Sequence, residues 1–573
     1  MGWILGVVGA LDGNELTARA QSLHPAARHQ VRTPHLYLAA GGAGETTLHH
    51  SLSATDGWFV LGLGLRIEGE RTRILDTVDW SPLMDRMEAA AREVDGHYLL
   101  IRYSDGGVEV RTDRLGLRTL YIARAGEATM FSTRLDWVAR FSGNTDIDFG
   151  VFGSRWLLFN QLSTASPVCG IRRLGPGGFA RLHGDRIQVA EVPWIPPPTP
   201  SSGGSMEKTL AALANPVVPN GGVLLLGLSG GLDSRLLLSF LLACRANLQI
   251  LAYGARDHPD VRIASLIARR LDLPFDLIEP VVPPRDTILD AVREYQNHLG
   301  AEEPASSFLK AMYAHQLAGR NLVLIDGGFG EISRRQYLNR LVAFGQSAIS
   351  SGVPKRILPF LSVRRGNFLS ADVRRVMEQG ALHDIAGVWR AMPPVDTMGP
   401  EGFADLLAVR TRFPNFGAME QSRLDTLLPS YTPFAQPSML RSIFETDALH
   451  RRGGRLWREF IRRNMPVLMT FPLVKGDVPY PFRLGPLSAR IWTGLAARLQ
   501  GGARPAVRDR LLQALHEPIM DMLSSQAVRE AGVYDLTVLT ATAQQYYAGR
   551  TEKGKEIDWW LAMEMWRRGI AGR

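Results

Sequence analysis

The stretch from Val223 to Arg235 constrains this chain more than any other. An unbroken apolar run, Val223-Leu224-Leu225-Leu226-Gly227-Leu228, gives way to Ser229-Gly230-Gly231-Leu232-Asp233-Ser234, and a second apolar run follows at once. An apolar run without alternation predicts a strand buried on both faces, as in a parallel sheet covered by helices. The glycines let backbone approach a ligand closely, and a helix that starts here presents free N–H groups and its positive dipole end. Ser229 and Ser234 add hydroxyl donors, so the turn suits a phosphate or pyrophosphate. Asp233 would repel that anion unless a divalent cation lay between them, which marks it as a Mg²⁺ ligand. Two other readings fit some of these residues. Gly227 to Gly231 also spell G-x-S-x-G, the nucleophile elbow of α/β-hydrolases, but that pattern leaves Asp233-Ser234 unexplained. A plain glycine turn requires fewer polar groups than stand here.

The rest of the chain falls into two regimes. Up to about residue 190, short alternating or apolar runs recur around 58–63, 97–103 and 108–111, with turn signals such as Ser104-Asp105-Gly106-Gly107 between them. This predicts a β-rich unit over 1–190 with one helix over 82–94. A Pro/Ser/Gly-rich segment at 191–205 has the composition of a linker. Beyond it, strands predicted at 223–228, 248–252 and 322–325 alternate with helices at 234–244, 261–271 and 308–317. That order predicts a parallel α/β sheet over 206–573, mostly helical from about 400 and ending in an amphipathic helix at 557–570.

Composition narrows the function classes. The chain has 573 residues, 45% hydrophobic and 21% charged, enough to bury large cores. Its formal net charge of +9 favours an anionic partner, although the basic residues are dispersed instead of forming a run. Two cysteines, Cys169 and Cys244, make neither a disulfide framework nor a four-thiolate zinc site. The apolar opening has no basic n-region, and the apolar stretch at 223–244 is interrupted by Asp233 and Arg235. A soluble cytoplasmic protein is expected, with no membrane or nucleic-acid partner.

Ser-Gly-Gly-Leu-Asp-Ser at 229–234 resembles the pyrophosphate loop of the ATP-pyrophosphatase superfamily, specifically the asparagine synthetase type. Further stretches agree in order: Tyr253-Gly254 closing the second strand, Asp257-His258-Pro259-Asp260 opening the next helix, and Glu302-Glu303-Pro304-Ala305. So do Asp326-Gly327-Gly328-Phe329-Gly330-Glu331, and Val474-Lys475-Gly476-Asp477 much later. The N-terminal motifs at 94–98 and 112–121 resemble the glutaminase half of the same enzymes. The resemblance implies an α+β Ntn-hydrolase-like sandwich followed by an α/β adenine nucleotide α-hydrolase-like domain. It implies ATP and Mg²⁺ as cofactors, with Leu228, Ser229, Gly230, Gly231, Asp233, Ser234, Tyr253, Gly254 and Gly328 around the nucleotide. Asp233, Asp326 and Glu331 would hold metal, and Lys475 would stabilise the reacting phosphate and carboxylate.

The chain also departs from that family. A working glutaminase needs cysteine directly after the initiator Met, as nucleophile and amine in one residue. Gly2 stands there, and no cysteine precedes Cys169. The oxyanion-loop Asn-Gly pair is missing too, since Asn14 is followed by Glu15. The same loss marks the glutaminase-deficient relatives that close rings, the β-lactam synthetases and the lasso peptide macrolactam synthetases. Phe329 stands where asparagine synthetases carry an acid and β-lactam synthetases a tyrosine, so Glu303 or Glu420 is left as candidate base, with Glu303 and Glu331 counted as catalytic beside Lys475. Arg235 is read as a phosphate contact, a partner of Glu331, or a solvated helix charge.

The resemblance thus implies an AMP-forming amide-bond synthetase acting on a carboxylate-bearing small molecule or precursor peptide, with a leader-peptide-binding protein or protease as partner. An ammonia-using relative and a non-catalytic nucleotide scaffold are the rivals. A sulfur-transferring tRNA enzyme would need paired cysteines. The near-Walker sequence at 549–556 lacks its Ser/Thr and a preceding strand, His49-His50 reads as a surface loop, and Trp559, Trp560 and Trp566 read as core.

Overall fold

The computed structural model describes residues 2–11, 14–158, 161–196, 205–499 and 507–572, so positions 197–204 of the expected linker lie outside it. Two sheets build the first part. The six-stranded antiparallel sheet runs in the order Ile171–Leu174, Leu120–Ala125, Ala128–Ser132, Trp3–Val8, Leu36–Gly41, His29–Arg32. The second follows the order Arg186–Glu191, Gly178–His183, Gly107–Thr112, Asp95–Ser104, Gly57–Glu68, Arg71–Ile74, with Thr47–Ser51 beside Gly57–Glu68.

Period-2 alternation explains the layering. Ile4, Val8, Leu38, Phe59, Leu61, Leu99 and Phe131 meet between the sheets. The opposite faces are covered as well: Trp58, Val60, Tyr98 and Leu100 by Trp80, Leu83 and Met87, and Trp3, Leu5 and Met130 by Val138 and Trp566. The result is helix–sheet–sheet–helix. A strand buried on both sides has no polar face, which is why Trp3–Val8 is apolar throughout.

The helix expected over 82–94 is two, Thr77–Met84 and Met87–Glu93. Asp76 caps the first through Val78 N and Asp79 N, so it starts earlier, and Arg86 breaks the run with non-helical backbone. His49 and His50 stand in the strand Thr47–Ser51, not a loop, with His49 stacked 4.3 Å from Phe59.

The second part holds a five-stranded, wholly parallel sheet in the order Phe275–Ile278, Leu248–Tyr253, Val223–Gly227, Leu322–Ile325, Ser430–Tyr431. The chain leaves the central Val223–Gly227 strand on one side and returns on the other. This makes a switch-point crevice at the carboxyl ends of Val223–Gly227 and Leu322–Ile325. The outer two strands are absent from the sequence expectation, because Phe275–Ile278 is only half-buried and Ser430–Tyr431 is two residues long. Helices follow from Gly330 onward, and Trp560 and Trp566 of the last helix, Gly554–Ile570, are fully buried. Among the described residues no helix is long and apolar enough to cross a membrane.

The two parts are joined by buried charge. Asp425, fully buried, accepts from His97 Nε2 at 3.0 Å and lies 3.2 Å from Arg118 Nη1. Its backbone oxygen accepts from Gly2 N at 3.1 Å and Thr46 Oγ1 at 2.6 Å. The two-residue strand Pro216–Val217 pairs in parallel with Arg71–Ile74, so the chain adds to the sheet of the first part before entering the second.

Candidate functional site

A recess of about 320 Å³ opens at the switch point. Gly227, Leu228, Ser229, Gly231, Asp233 and Ser234 form its floor, Tyr253, Val261 and Tyr313 an apolar wall, and Asp326 and Gly327 the opposite rim. The helix Leu232–Ala243 begins at its base with Gly231 as cap. Ser229 N donates to Ser234 Oγ at 3.2 Å and Gly231 N to Ser229 Oγ at 3.1 Å, which holds the turn in shape. Gly230 N donates to Asp260 Oδ1 at 2.7 Å, so this N–H already carries an anionic oxygen.

The hairpin Leu473–Lys475 and Val478–Tyr480 docks on the loop, Val474 N donating to Gly230 O at 2.9 Å. A Cβ on Gly230 would stand 2.3 Å from Val474 Cγ2, so only glycine permits this contact. Lys475 is exposed at the hairpin's end. Arg235 fits none of its three sequence readings. It is fully buried, and its guanidinium donates to Phe471 O at 2.8 Å, Pro472 O at 2.7 Å and Leu468 O at 3.3 Å. It clamps the segment that leads into Lys475, and burial pushes its pKa down to about 9.

The acidic loop presses on the same helix start. A Cβ on Gly327 would meet Ser234 N at 2.9 Å, and one on Gly330 would meet Asp233 Cγ at 2.3 Å. Phe329 takes a left-handed backbone at φ 63° and packs on Phe413 at 4.4 Å. Gly328 N donates to Asp326 Oδ1 at 2.5 Å. Burial, then the neighbouring acids Glu420, Glu331 and Asp233, raise the Asp326 pKa despite its one N–H donor.

Asp233 is not open to the recess in the way a free metal ligand would be. Arg334 Nη2 donates to Oδ2 at 2.9 Å, Arg334 Nε lies 2.8 Å from Oδ1, and Trp457 Nε1 donates to Oδ1 at 3.1 Å. Burial raises its pKa and the Arg334 charge opposes that rise. Glu331 Oε1 lies 3.7 Å from Arg412 Nε. Asp326 has no cationic partner among the described residues. No group of three or more His, Cys, Asp or Glu among those residues is placed to hold a metal. Mg²⁺ is commonly held by one or two carboxylates plus phosphate oxygens. Asp326 fits that role; Asp233 and Glu331, as paired here, do not.

The remaining candidates are scattered. Tyr253 lines the recess, its hydroxyl donating to Leu309 O at 2.6 Å, and burial pushes its pKa up to about 12. Gly254 closes the same strand with φ 138°. Glu303 accepts from Tyr295 Oη at 3.0 Å, and Glu420 is bound by Arg423 at 2.6 Å; neither lines the recess. Tyr313, Arg334 and Trp457 complete the site without having been singled out from sequence, and Asp260 figures in the sequence reading only as part of the stretch 257–260.

No family model matches the chain, and no curated protein matches it. Among solved structures it is similar to the allosteric regulatory enzyme of purine biosynthesis, at 12% identity over 58% of this chain and 76% of that one, TM-score 0.23. It is likewise similar to glutamine phosphoribosylpyrophosphate amidotransferase from B. subtilis complexed with ADP and GMP, at 12% identity over 58% and 77%, TM-score 0.22. Both are enzymes, and likeness at this level fixes neither the fold nor the activity of this chain.

Proposed function

We propose that the protein is an ATP-dependent, AMP-forming amide-bond synthetase that works without glutamine. In this reading residues 1–190 are a degenerate glutaminase-type Ntn unit, supported by their helix–sheet–sheet–helix layering, and 206–573 are the synthetase unit. The observation that carries the reading is the docking of the Lys475 hairpin on Gly230 of a serine- and glycine-rich turn at a sheet switch point. ATP would lie with its adenine against Tyr253, Val261 and Tyr313 and its phosphates over 229–234. A carboxylate oxygen attacks the α-phosphorus and pyrophosphate leaves toward the helix N-terminus. An amine then attacks the acyl carbon, AMP leaves, and the amine's proton passes to a base. Mg²⁺ at Asp326 would neutralise phosphate charge. Lys475 supplies fixed positive charge where negative charge develops, and the loop supplies orientation.

An amine within the substrate, as in lasso-type macrolactam closure of a precursor peptide, suits the first unit best. Gly2 offers no nucleophile, and Asp425 and Arg118 occupy its surroundings, with Arg118 Nη2 donating to Gly2 O at 2.5 Å. A nucleotide-binding scaffold without catalysis is the second reading, favoured by the Arg334 pairing of Asp233.

Calorimetric titration with α,β-methylene ATP and Mg²⁺ tests the reading. Wild type is expected to bind, and Gly230→Val, whose side chain collides with Val474, to lose at least about tenfold in affinity, or about 1.4 kcal/mol. Absence of binding to wild type would sink both the synthetase and the scaffold. AMP release on adding a candidate peptide would then separate the two.

A further inference from the structure

The acidic loop brings Asp326 to the recess, and the residues just after it bring a cation, Arg334, to Asp233. Arg334 caps the short helix Gly330–Ser333, its N–H bonded to Gly330 O at 3.0 Å, and it turns back onto Asp233. We propose that Arg334 takes the place of one divalent cation: it neutralises Asp233 beside the phosphate loop, so the site holds a single divalent ion, at Asp326, for each bound nucleotide. This rests on the nucleotide-binding reading above and adds to it the ion count and the residue that sets it.

Two donors hold the Asp233 carboxylate, Arg334 Nη2 at 2.9 Å and Trp457 Nε1 at 3.1 Å, while Arg334 Nε lies 2.8 Å from Oδ1 without a hydrogen bond to it. The Gly330 backbone closes a further side, where a Cβ would stand 2.3 Å from Cγ, and 14% of the side chain stays exposed at the recess floor. Trp457 is fully buried and stacked on Phe434 at 5.7 Å, so its donor is fixed. Arg334 is held from its far side by Gln336 Oε1. A Mg²⁺ ion needs near-octahedral oxygens at about 2.0–2.1 Å. It would reach Asp233 only by evicting the guanidinium, since two cations on one buried carboxylate repel strongly.

The neighbouring acid points the same way: Glu331 Oε1 lies 3.7 Å from Arg412 Nε, so Asp326 is the one of these three acids with no cationic partner among the described residues. Arg412 is itself placed, its guanidinium carbon 4.5 Å over the Phe416 ring and 5.1 Å over Tyr337.

The test counts ions. Mn²⁺ bound to the full-length protein, saturated with α,β-methylene ATP, is measured from the paramagnetic resonance of the free ion. The ratio of Mn²⁺ to bound nucleotide is expected to be one in wild type and in Arg334→Lys, which keeps the charge, and two in Arg334→Gln, which frees Asp233. Circular dichroism confirms that each variant is folded. Two ions in wild type would overturn the inference and leave the nucleotide reading standing. A ratio of one in all three proteins would also overturn it, because Arg334 would then not set the count. Wild type that binds no nucleotide would overturn both.

Discussion

Replacing Asp425 with alanine isolates what the junction between the two units contributes. Asp425 and Arg118 are both fully buried, with Arg118 Nη1 3.2 Å from Oδ2, His97 Nε2 donating to Oδ1 at 3.0 Å and Gln421 Nε2 donating to it at 3.1 Å. An ionised carboxylate only accepts, so all of these groups lose their acceptor together. Removing one member of a buried ion pair costs about 3–5 kcal/mol, chiefly because the other charge is stranded in a poorly polarisable interior. For a cooperative unit near 200 residues, at about 2–4 °C per kcal/mol, the transition should fall by roughly 6–20 °C. Scanning calorimetry reads this directly, and tryptophan fluorescence reports whether the first unit melts apart from the second. Asp425→Ala with Arg118→Leu should recover part of the loss, since no charge is then stranded. A single variant within about 1 kcal/mol of wild type, or a double variant as costly as the two singles added, would refute the reasoning.

Lys475→Met is expected to leave thermal stability within about 0.5 kcal/mol of wild type, since the side chain is exposed, while AMP release with an active substrate falls by about 10²–10³-fold. Equal AMP release would remove Lys475 from the chemistry. Arg235→Met strands the carbonyls of Leu468, Phe471 and Pro472 at about 1–3 kcal/mol for each one left unpaired. Limited proteolysis should therefore cut the 468–480 region faster than in wild type, and unchanged protection would count against the clamp. Burial, aided by His29 and His50, holds the His49 pKa down at about 4. The folded state thus binds fewer protons than the unfolded one between about pH 4 and 6.5, so stability is lost as pH falls through that window. For a half-buried ring this amounts to about 1–2 kcal/mol after allowance for solvent screening. Urea titrations at pH 7 and pH 4.5 should show His49→Gln losing less on acidification, and an identical loss would refute the assignment.

Much of the architecture is legible locally. The strand Leu322–Ile325 and the helix Phe308–Leu317 lie where hydrophobic patterning puts them, because a doubly buried strand is an unbroken apolar run and the helix buries Phe308, Ala311, Ala314 and Leu317 every third residue. Misread elements have equally local causes. Ser430–Tyr431 is too short to show a period, and the Asp76 cap moves a helix start that apolar spacing alone does not mark.

The candidate site divides the same way. The sequence by itself determines the strand–turn–helix at 223–235, its Ser/Gly composition and the absence of a cysteine at position 2, since these depend on backbone conformation and residue chemistry within one segment. Tertiary structure alone decides what meets them. Arg334 and Trp457, 101 and 224 residues away, close on Asp233, and Asp425 reaches His97 across 328 residues. Arg235 turns from a candidate ligand into a buried clamp. The physical reason is that periodicity records which face of an element is buried. Charge pairing depends instead on which loops the topology brings to one edge of the sheet, and no local pattern carries that.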